Sequence, residues 1–236
     1  ARLQLELGHA MIAVYRAGSA YAALAAGVLA QALRARLETQ DRVSFAVSGG
    51  STPGPVFRAL ADLPIDWPRV DVYQVDERVA PEGDAARNLT GLRASLLDHV
   101  DAVAHPMPVE ADELDAAAHE YAAKLPPVLD VVHLGLGDDG HTASLVPDDP
   151  VLDVRGVSVA MTGPYRGHRR MTLTFTPLAR ANELVWIVAG RDKTPMTRRL
   201  LDADPRIPAG RLPQDRAILV TDEPEDEEPK GNANDG

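Results

Sequence analysis

The run HLGLGDDGHTASLVP, from His133 to Pro147, sets a histidine behind two aspartates inside a glycine-rich bend. Glycines there permit close backbone approach or positive φ, so Asp138 or Asp139 can orient His141 through one ring nitrogen while the other activates water. A histidine that starts a helix or takes a structural hydrogen bond accounts for the same position. His133 precedes the bend in an expected strand and reads as a packed residue, and His168 sits in the segment YRGHRR. The histidines do not form a metal-ligand spacing, so no metal is expected.

A second set of residues suits an anion. Ser48-Gly49-Gly50-Ser51-Thr52-Pro53 can offer backbone amides and two hydroxyls at a helix start, where unsatisfied N–H groups welcome a phosphate. A tight connection capped by Thr52, with Pro53 in the first helical turn, explains the same residues and is compatible with a phosphate site. Asp76-Glu77-Arg78 offers a guanidinium that neighbouring carboxylates can orient; a solvated charged turn is the alternative. Tyr165, Arg166, Arg169 and Arg170 form a short basic patch suited to a small anion. Lys193 in GRDKTP offers one more cation, or an ordinary solvent-facing lysine. Neither a Walker pattern nor a convincing GxGxxG turn is present, so neither a nucleotide nor any other cofactor is expected.

These residues need a frame. Short β-prone runs (MIAVY, VSFAV, VDVYQV, VLDVVHL, MTLTF, ELVWIVA and AILV) alternate with helical patterns over Tyr21–Leu37, Pro53–Leu63, Asn88–Val100, Glu113–Leu125 and Thr194–Leu201. That rhythm predicts an α/β fold: a mainly parallel, Rossmann-like sheet covered by helices on both faces. SGGSTP, DER and GLGDDGH each follow a predicted strand, at the sheet end where open parallel sheets bind ligands.

The chain has 236 residues, 45% hydrophobic, which favours one domain over residues 11–222. Residues 223–236 are acidic, poor in apolar mass, and expected to be a mobile tail. A net charge of -11 repels nucleic-acid backbones and anionic membranes, so neither is an expected partner. No apolar stretch reaches the roughly 20 residues of a membrane span. With no cysteine, disulfides and thiolate chemistry are excluded, which fits a reducing compartment.

In their order along the chain, SGGSTP, VDER, LGLGDDGHTASLVP, RRMTLTF and GRDK resemble the 6-phosphogluconolactonases of the glucosamine-6-phosphate isomerase/6-phosphogluconolactonase family, over about Val43 to Lys193. The resemblance implies a three-layer α/β/α fold of the NagB/RpiA/CoA transferase-like class. It also implies cytoplasmic hydrolysis of 6-phospho-D-glucono-1,5-lactone, a phosphorylated sugar lactone, in the oxidative pentose phosphate pathway. By the same resemblance His141 is the water-activating base, and Arg78 binds ligand and acts electrostatically. Gly49, Gly50, Ser51 and Thr52 face the phosphate, with Arg170 and Lys193 as distal phosphate contacts. Asp76 and Asp139 organise the site, and Asn88 lies near the pocket. The sequence departs from the family pattern at Asp138, Arg87 and Val146, where Pro, Ser and Phe are frequent. A related deaminase or isomerase and a non-catalytic sugar-phosphate sensor are the rival functions; VDER followed by DGHTASLVP favours the lactonase. A monomer and a homodimer fit equally.

Overall fold

Strands whose residues are buried on both faces belong inside a parallel sheet, and all five residues of Val43–Val47 and all four of Val131–Leu134 are buried. The computed structural model describes residues 12–50 and 52–224. Along the chain lie β1 (Ala13–Arg16), α1 (Tyr21–Leu37), β2 (Val43–Val47), α2 (Pro53–Ala61), β3 (Val70–Gln74), β4 (Asp76–Arg78), α3 (Asn88–Leu92) and β5 (Val103–His105). Then follow α4 (Leu114–Lys124), β6 (Val131–Leu134), β7 (Val159–Met161), β8 (Arg170–Leu173), α5 (Phe175–Arg180), β9 (Glu183–Val188), α6 (Thr194–Leu201) and β10 (Ala217–Thr221).

Seven strands form one sheet in the order β1-β10-β9-β6-β2-β3-β5, every neighbouring pair parallel. The chain leaves β2 toward β3 on one side and leaves β6 toward β9 on the other. The sheet's topological switch point therefore lies between β2 and β6, where open α/β sheets form their ligand crevice.

Alternate strand residues feed two cores. Phe45, Val47, Val131, Val185 and Ile187 pack against Leu29 and Leu33 of α1 and Val56, Phe57 and Leu60 of α2. Ala46, Val132, Leu134, Leu184 and Trp186 pack on the other face against Tyr121 of α4, Leu178 of α5 and Leu200 of α6. The result is the three-layer α/β/α arrangement that the sequence predicts. Helix α1 is built for its place: Ala25, Ala26, Leu29, Ala30 and Leu33 recur at helical spacing, their small members lie close to the sheet, and Arg34 and Arg36 favour its negative end.

Three expectations change. MTLTF does not join the parallel sheet; β8 pairs antiparallel with β4 and β7 in a second, three-stranded sheet. DER is likewise no turn. After β3 the chain bonds through Val75 to both sheets, Val75 N to Val47 O at 3.0 Å and Leu173 N to Val75 O at 2.7 Å, then continues as β4. The helix expected over Asn88–Val100 also stops early: α3 gives way to a π-helical turn at Arg93–Leu97, where Ser95 Oγ donates to Gly91 O at 2.7 Å.

At the end of the chain, Glu223 is held rather than free. Its carboxylate accepts from Thr194 Oγ1 at 2.9 Å and lies 3.8 Å from Arg16 Nε. Residues 1–11 and 225–236, including Met11 of the first expected strand and most of the acidic tail, lie outside the described residues. No helix among the described residues is long and apolar enough to cross a membrane.

The β3–β4 passage is fixed by Glu77, which is fully buried. Its oxygens accept from Gln74 Nε2 at 2.8 Å, Arg78 N at 2.7 Å, Asn88 N at 2.7 Å and Leu89 N at 2.8 Å. Arg87 Nε lies 3.3 Å away as an ion pair without hydrogen-bond alignment. Removing one partner of such a pair strands the other charge in the interior. Glu77→Ala should therefore lower the urea-unfolding free energy by about 3–5 kcal/mol.

Candidate active site

The pocket opens at the carboxyl ends of β2 and β6. Ser48, Gly49, Gly50, Thr52 and Pro53 form one wall, Gly135 to Asp138 with His141 another, and Asp76, Arg78, Asn88, Arg170 and Lys193 close the rest. Most of the site residues named from the sequence thus meet at one crevice, but Asp139 stands behind His141, Tyr165 and Arg169 of the basic patch do not line it, and Ser51 lies outside the described residues.

Local geometry explains the glycines. A Cβ on Gly49 would overlap the Asn88 carboxamide, and one on Gly137 would overlap the His141 ring. Both therefore stay bare so that a functional side chain can lie against the backbone. Thr52 occupies the N-cap position of α2, but its hydroxyl makes no cap bond, and Pro53 fills the first turn. The capping role expected for that hydroxyl is absent, and the helix start opens on the pocket.

The loop after β6 closes on itself through Gly137 N to His141 O at 2.8 Å and Gly140 N to Gly137 O at 3.1 Å, with Gly140 at φ +85°. Asp139, not Asp138, orients the histidine. Its Oδ1 accepts from His141 N at 3.0 Å and lies 2.5 Å from His141 Nδ1, and its Oδ2 accepts from Tyr165 Oη at 2.8 Å. These donors hold the Asp139 carboxyl well below the usual carboxylate range, outweighing the opposing effect of burial. A carboxylate facing Nδ1 places the proton there and leaves Nε2 as the basic nitrogen. Asp138 is instead exposed and pairs with Arg166 at 2.7 Å.

Charge is arranged by burial on the opposite side. Asp76 accepts from Ser144 Oγ at 2.6 Å and from Asn88 Nδ2 at 3.3 Å, while Arg170 Nη1 lies 4.0 Å from it. Burial pushes the Asp76 carboxyl up and the Arg170 guanidinium down. Arg78 is half-buried and donates to Ala86 O at 2.7 Å. Lys193 is only loosely engaged, 3.6 Å from Asp192.

Ser144, which links the histidine loop to β4 and β8 through Asp76 and Thr172, has no role predicted from the sequence; Glu77, named there only as a neighbour that orients Arg78, also holds Asn88, and Tyr165, named only within the basic patch, turns its hydroxyl to Asp139. Arg87, where the sequence departs from the family pattern, is the buried partner of Glu77. Among the described residues, Asp138, Asp139 and His141 bring potential metal-ligand atoms within 4.8 Å of one another. Asp138 and Asp139 are already paired, with Arg166 and with His141, so a cation would have to displace those contacts.

Residues 16–220 match the family described as glucosamine-6-phosphate isomerases/6-phosphogluconolactonase. The chain is 35% identical to a 6-phosphogluconolactonase of a Synechocystis species over 192 residues, 75% of this chain and 80% of that protein. It is 37% identical over 190 residues to the human GDH/6PGL endoplasmic bifunctional protein, covering 74% of this chain but only 24% of that one. Among solved structures, a 6-phosphogluconolactonase from Shewanella baltica superposes with a TM-score of 0.81 at 26% identity, over 91% of this chain and 97% of the other.

Two expectations follow from this geometry. Gly137→Ala pushes the imidazole off Asp139, and misplacement on this scale lowers turnover by about 10²-fold while the fold persists; steady-state assay beside a thermal melt reads both. His133, fully buried on β6 with its Nδ1 accepting from Ser48 N at 3.3 Å, is driven down to about 3 by desolvation. Below about pH 6.5 the unfolded chain binds a proton there that the native chain refuses, so stability falls with pH by up to roughly 1.4 kcal/mol per unit. His133→Leu should flatten that loss when urea midpoints at pH 7 and pH 5 are compared.

Proposed function

The chain belongs to the family of glucosamine-6-phosphate isomerases and 6-phosphogluconolactonases, and from that premise we propose that it hydrolyses 6-phospho-D-glucono-1,5-lactone to 6-phospho-D-gluconate. One observation carries the reading: His141 faces a cation-rich pocket with Asp139 bound to its Nδ1 at 2.5 Å.

In the proposed reaction, His141 Nε2 takes a proton from water as the water oxygen bonds to the lactone carbonyl carbon. The carbonyl oxygen becomes an oxyanion, stabilised by pocket amides and the Arg78 charge. As the intermediate collapses, the bond from that carbon to the ring oxygen breaks, and Nε2 returns its proton to the departing oxygen. One imidazole thus serves as base and then acid. Asp139 keeps the proton on Nδ1 and stabilises the transient imidazolium.

The phosphate, remote from the breaking bond, is held by Arg170, Lys193 and the Gly49–Thr52 loop at the α2 N-terminus. Asp76 and Asn88 are positioning residues on this reading: Asp76 holds Ser144 and accepts from Asn88. The chain performs these roles with its own side chains and calls on no cofactor.

His141→Ala should lower kcat by about 10²–10⁴-fold, with KM changed little. The assay follows disappearance of freshly made lactone, with every trace corrected for spontaneous hydrolysis. Folded wild-type protein that binds phosphosugar without accelerating this loss would favour the sensor; acceleration unaffected by the substitution would remove His141 from the mechanism.

A further inference from the structure

The Asp139 carboxylate is gripped from two directions, and the second grip comes from a distant part of the chain. The β7–β8 hairpin turns at Tyr165–His168, closed by Tyr165 N to His168 O at 2.9 Å and His168 N to Tyr165 O at 3.2 Å. From that tip Tyr165 Oη donates to Asp139 Oδ2 at 2.8 Å, while Arg166 Nη2 reaches both oxygens of Asp138 at 2.7 and 3.0 Å. Two successive tip residues therefore hold two successive aspartates of the histidine loop. The Tyr165 ring also meets the His141 ring edge-on at 5.5 Å and lies 5.1 Å from the Arg170 guanidinium.

We propose that Tyr165 is a positioning residue that fixes the Asp139 carboxylate and, by sharing its charge, lowers the proton affinity of His141. The proposal rests on the reading of His141 as the base. With only the His141 bonds on Oδ1, the Asp139 carboxylate could rotate about its terminal torsion; a donor on Oδ2 sets its plane. That same donor draws negative charge toward Oδ2, so less remains to stabilise an imidazolium at Oδ1. The hydroxyl, pushed up to about 12 by burial and by Asp139, stays protonated and donating throughout the working range.

The charged groups around His141 are Asp138 and Asp139 on its own loop, Asp76 and Arg78 on β4, Arg166 and Arg170 of the β7–β8 hairpin, and Lys193 at the start of α6. Tyr165→Phe leaves every one of them in place and keeps the ring, so it isolates the hydroxyl.

The experiment measures the His141 imidazole titration by NMR in free wild-type and Tyr165→Phe protein, beside kcat and KM across pH. The expected result is a His141 pKa raised by about half a unit, roughly a threefold stronger hold on the proton. The acid limb of kcat/KM moves up in parallel, plateau kcat falls several-fold and KM stays within about twofold. Site-specific 3-fluorotyrosine at position 165, a stronger donor, should move the His141 pKa the opposite way, and it serves if the Phe variant folds poorly. An unmoved His141 pKa in both variants overturns the proposal, as does a raised KM with the imidazole pKa unchanged. Full activity of His141→Ala would instead defeat the base assignment, while the NMR titration would still report on Tyr165.

Discussion

A carboxylate that leaves water must replace every lost hydrogen bond, and Glu77 does so with neighbours of which two, Arg78 and Asn88, line the pocket. Its two oxygens bind a side chain of β3, the backbone of Arg78, and the first two amides of α3, with Arg87 supplying the countercharge. Arg78 and Asn88 approach the pocket from a strand and a helix that share no sheet bond. Glu77 makes their separation a fixed quantity. The adjacent Asp76 points to the other side of β4, as the strand's twofold alternation requires, and there it anchors Ser144 and thus the histidine loop. Two consecutive buried acids therefore register the β4 segment to both halves of the site.

The location of those acids follows from the topology. At Val75 the chain leaves the parallel sheet and enters the antiparallel one, so the residues just beyond it sit between the layers and beside the switch point of β2 and β6. A sheet that simply ended there would leave Arg78 on a solvated loop. By continuing as a strand, the chain gives the arginine a backbone whose position is set by β8. The acidic balance of the whole chain does not contradict an anion site, because potential in a crevice is set by the nearest charges. Asp139 and Asp76 are engaged by donors, which leaves Arg170 and Lys193 to face the opening.

Periodicity made much of this legible. Tyr21–Leu37 and Thr194–Leu201 have the predicted bounds because apolar spacing and the turns that follow agree there. Val43–Val47 agrees because four of its five residues are apolar and the fifth, Ser44, is buried with its hydroxyl donating to Asp130. The antiparallel sheet was hidden for the opposite reason: β4 consists of Asp, Glu and Arg, whose burial depends on partners elsewhere in the chain, and β4 and β7 are three residues each. MTLTF carries a strand's composition, but composition does not choose between sheets. In the site, the glycine bend announced the histidine and offered two aspartates for it. Choosing Asp139 over Asp138 needs the hairpin at Tyr165 and Arg166, some 26 residues later, which binds one aspartate from each.

His133 and His141 show how little the residue type alone decides. They lie only eight positions apart, yet His133 stands on β6 with apolar side chains around it and Phe57 against its ring, whereas His141 comes after that strand. Deprived of water and of any carboxylate, its imidazole is held neutral far below the usual range and cannot take a proton in the course of a reaction near neutrality. His141 stands at the end of a loop that glycines allow to fold tightly, where a carboxylate meets one nitrogen and the pocket meets the ring. Base chemistry requires a group that can accept a proton and be stabilised once it has done so. Of the two, only His141 has a countercharge within hydrogen-bonding distance, and the backbone that supplies it is the bend whose glycines distinguish this stretch of the sequence.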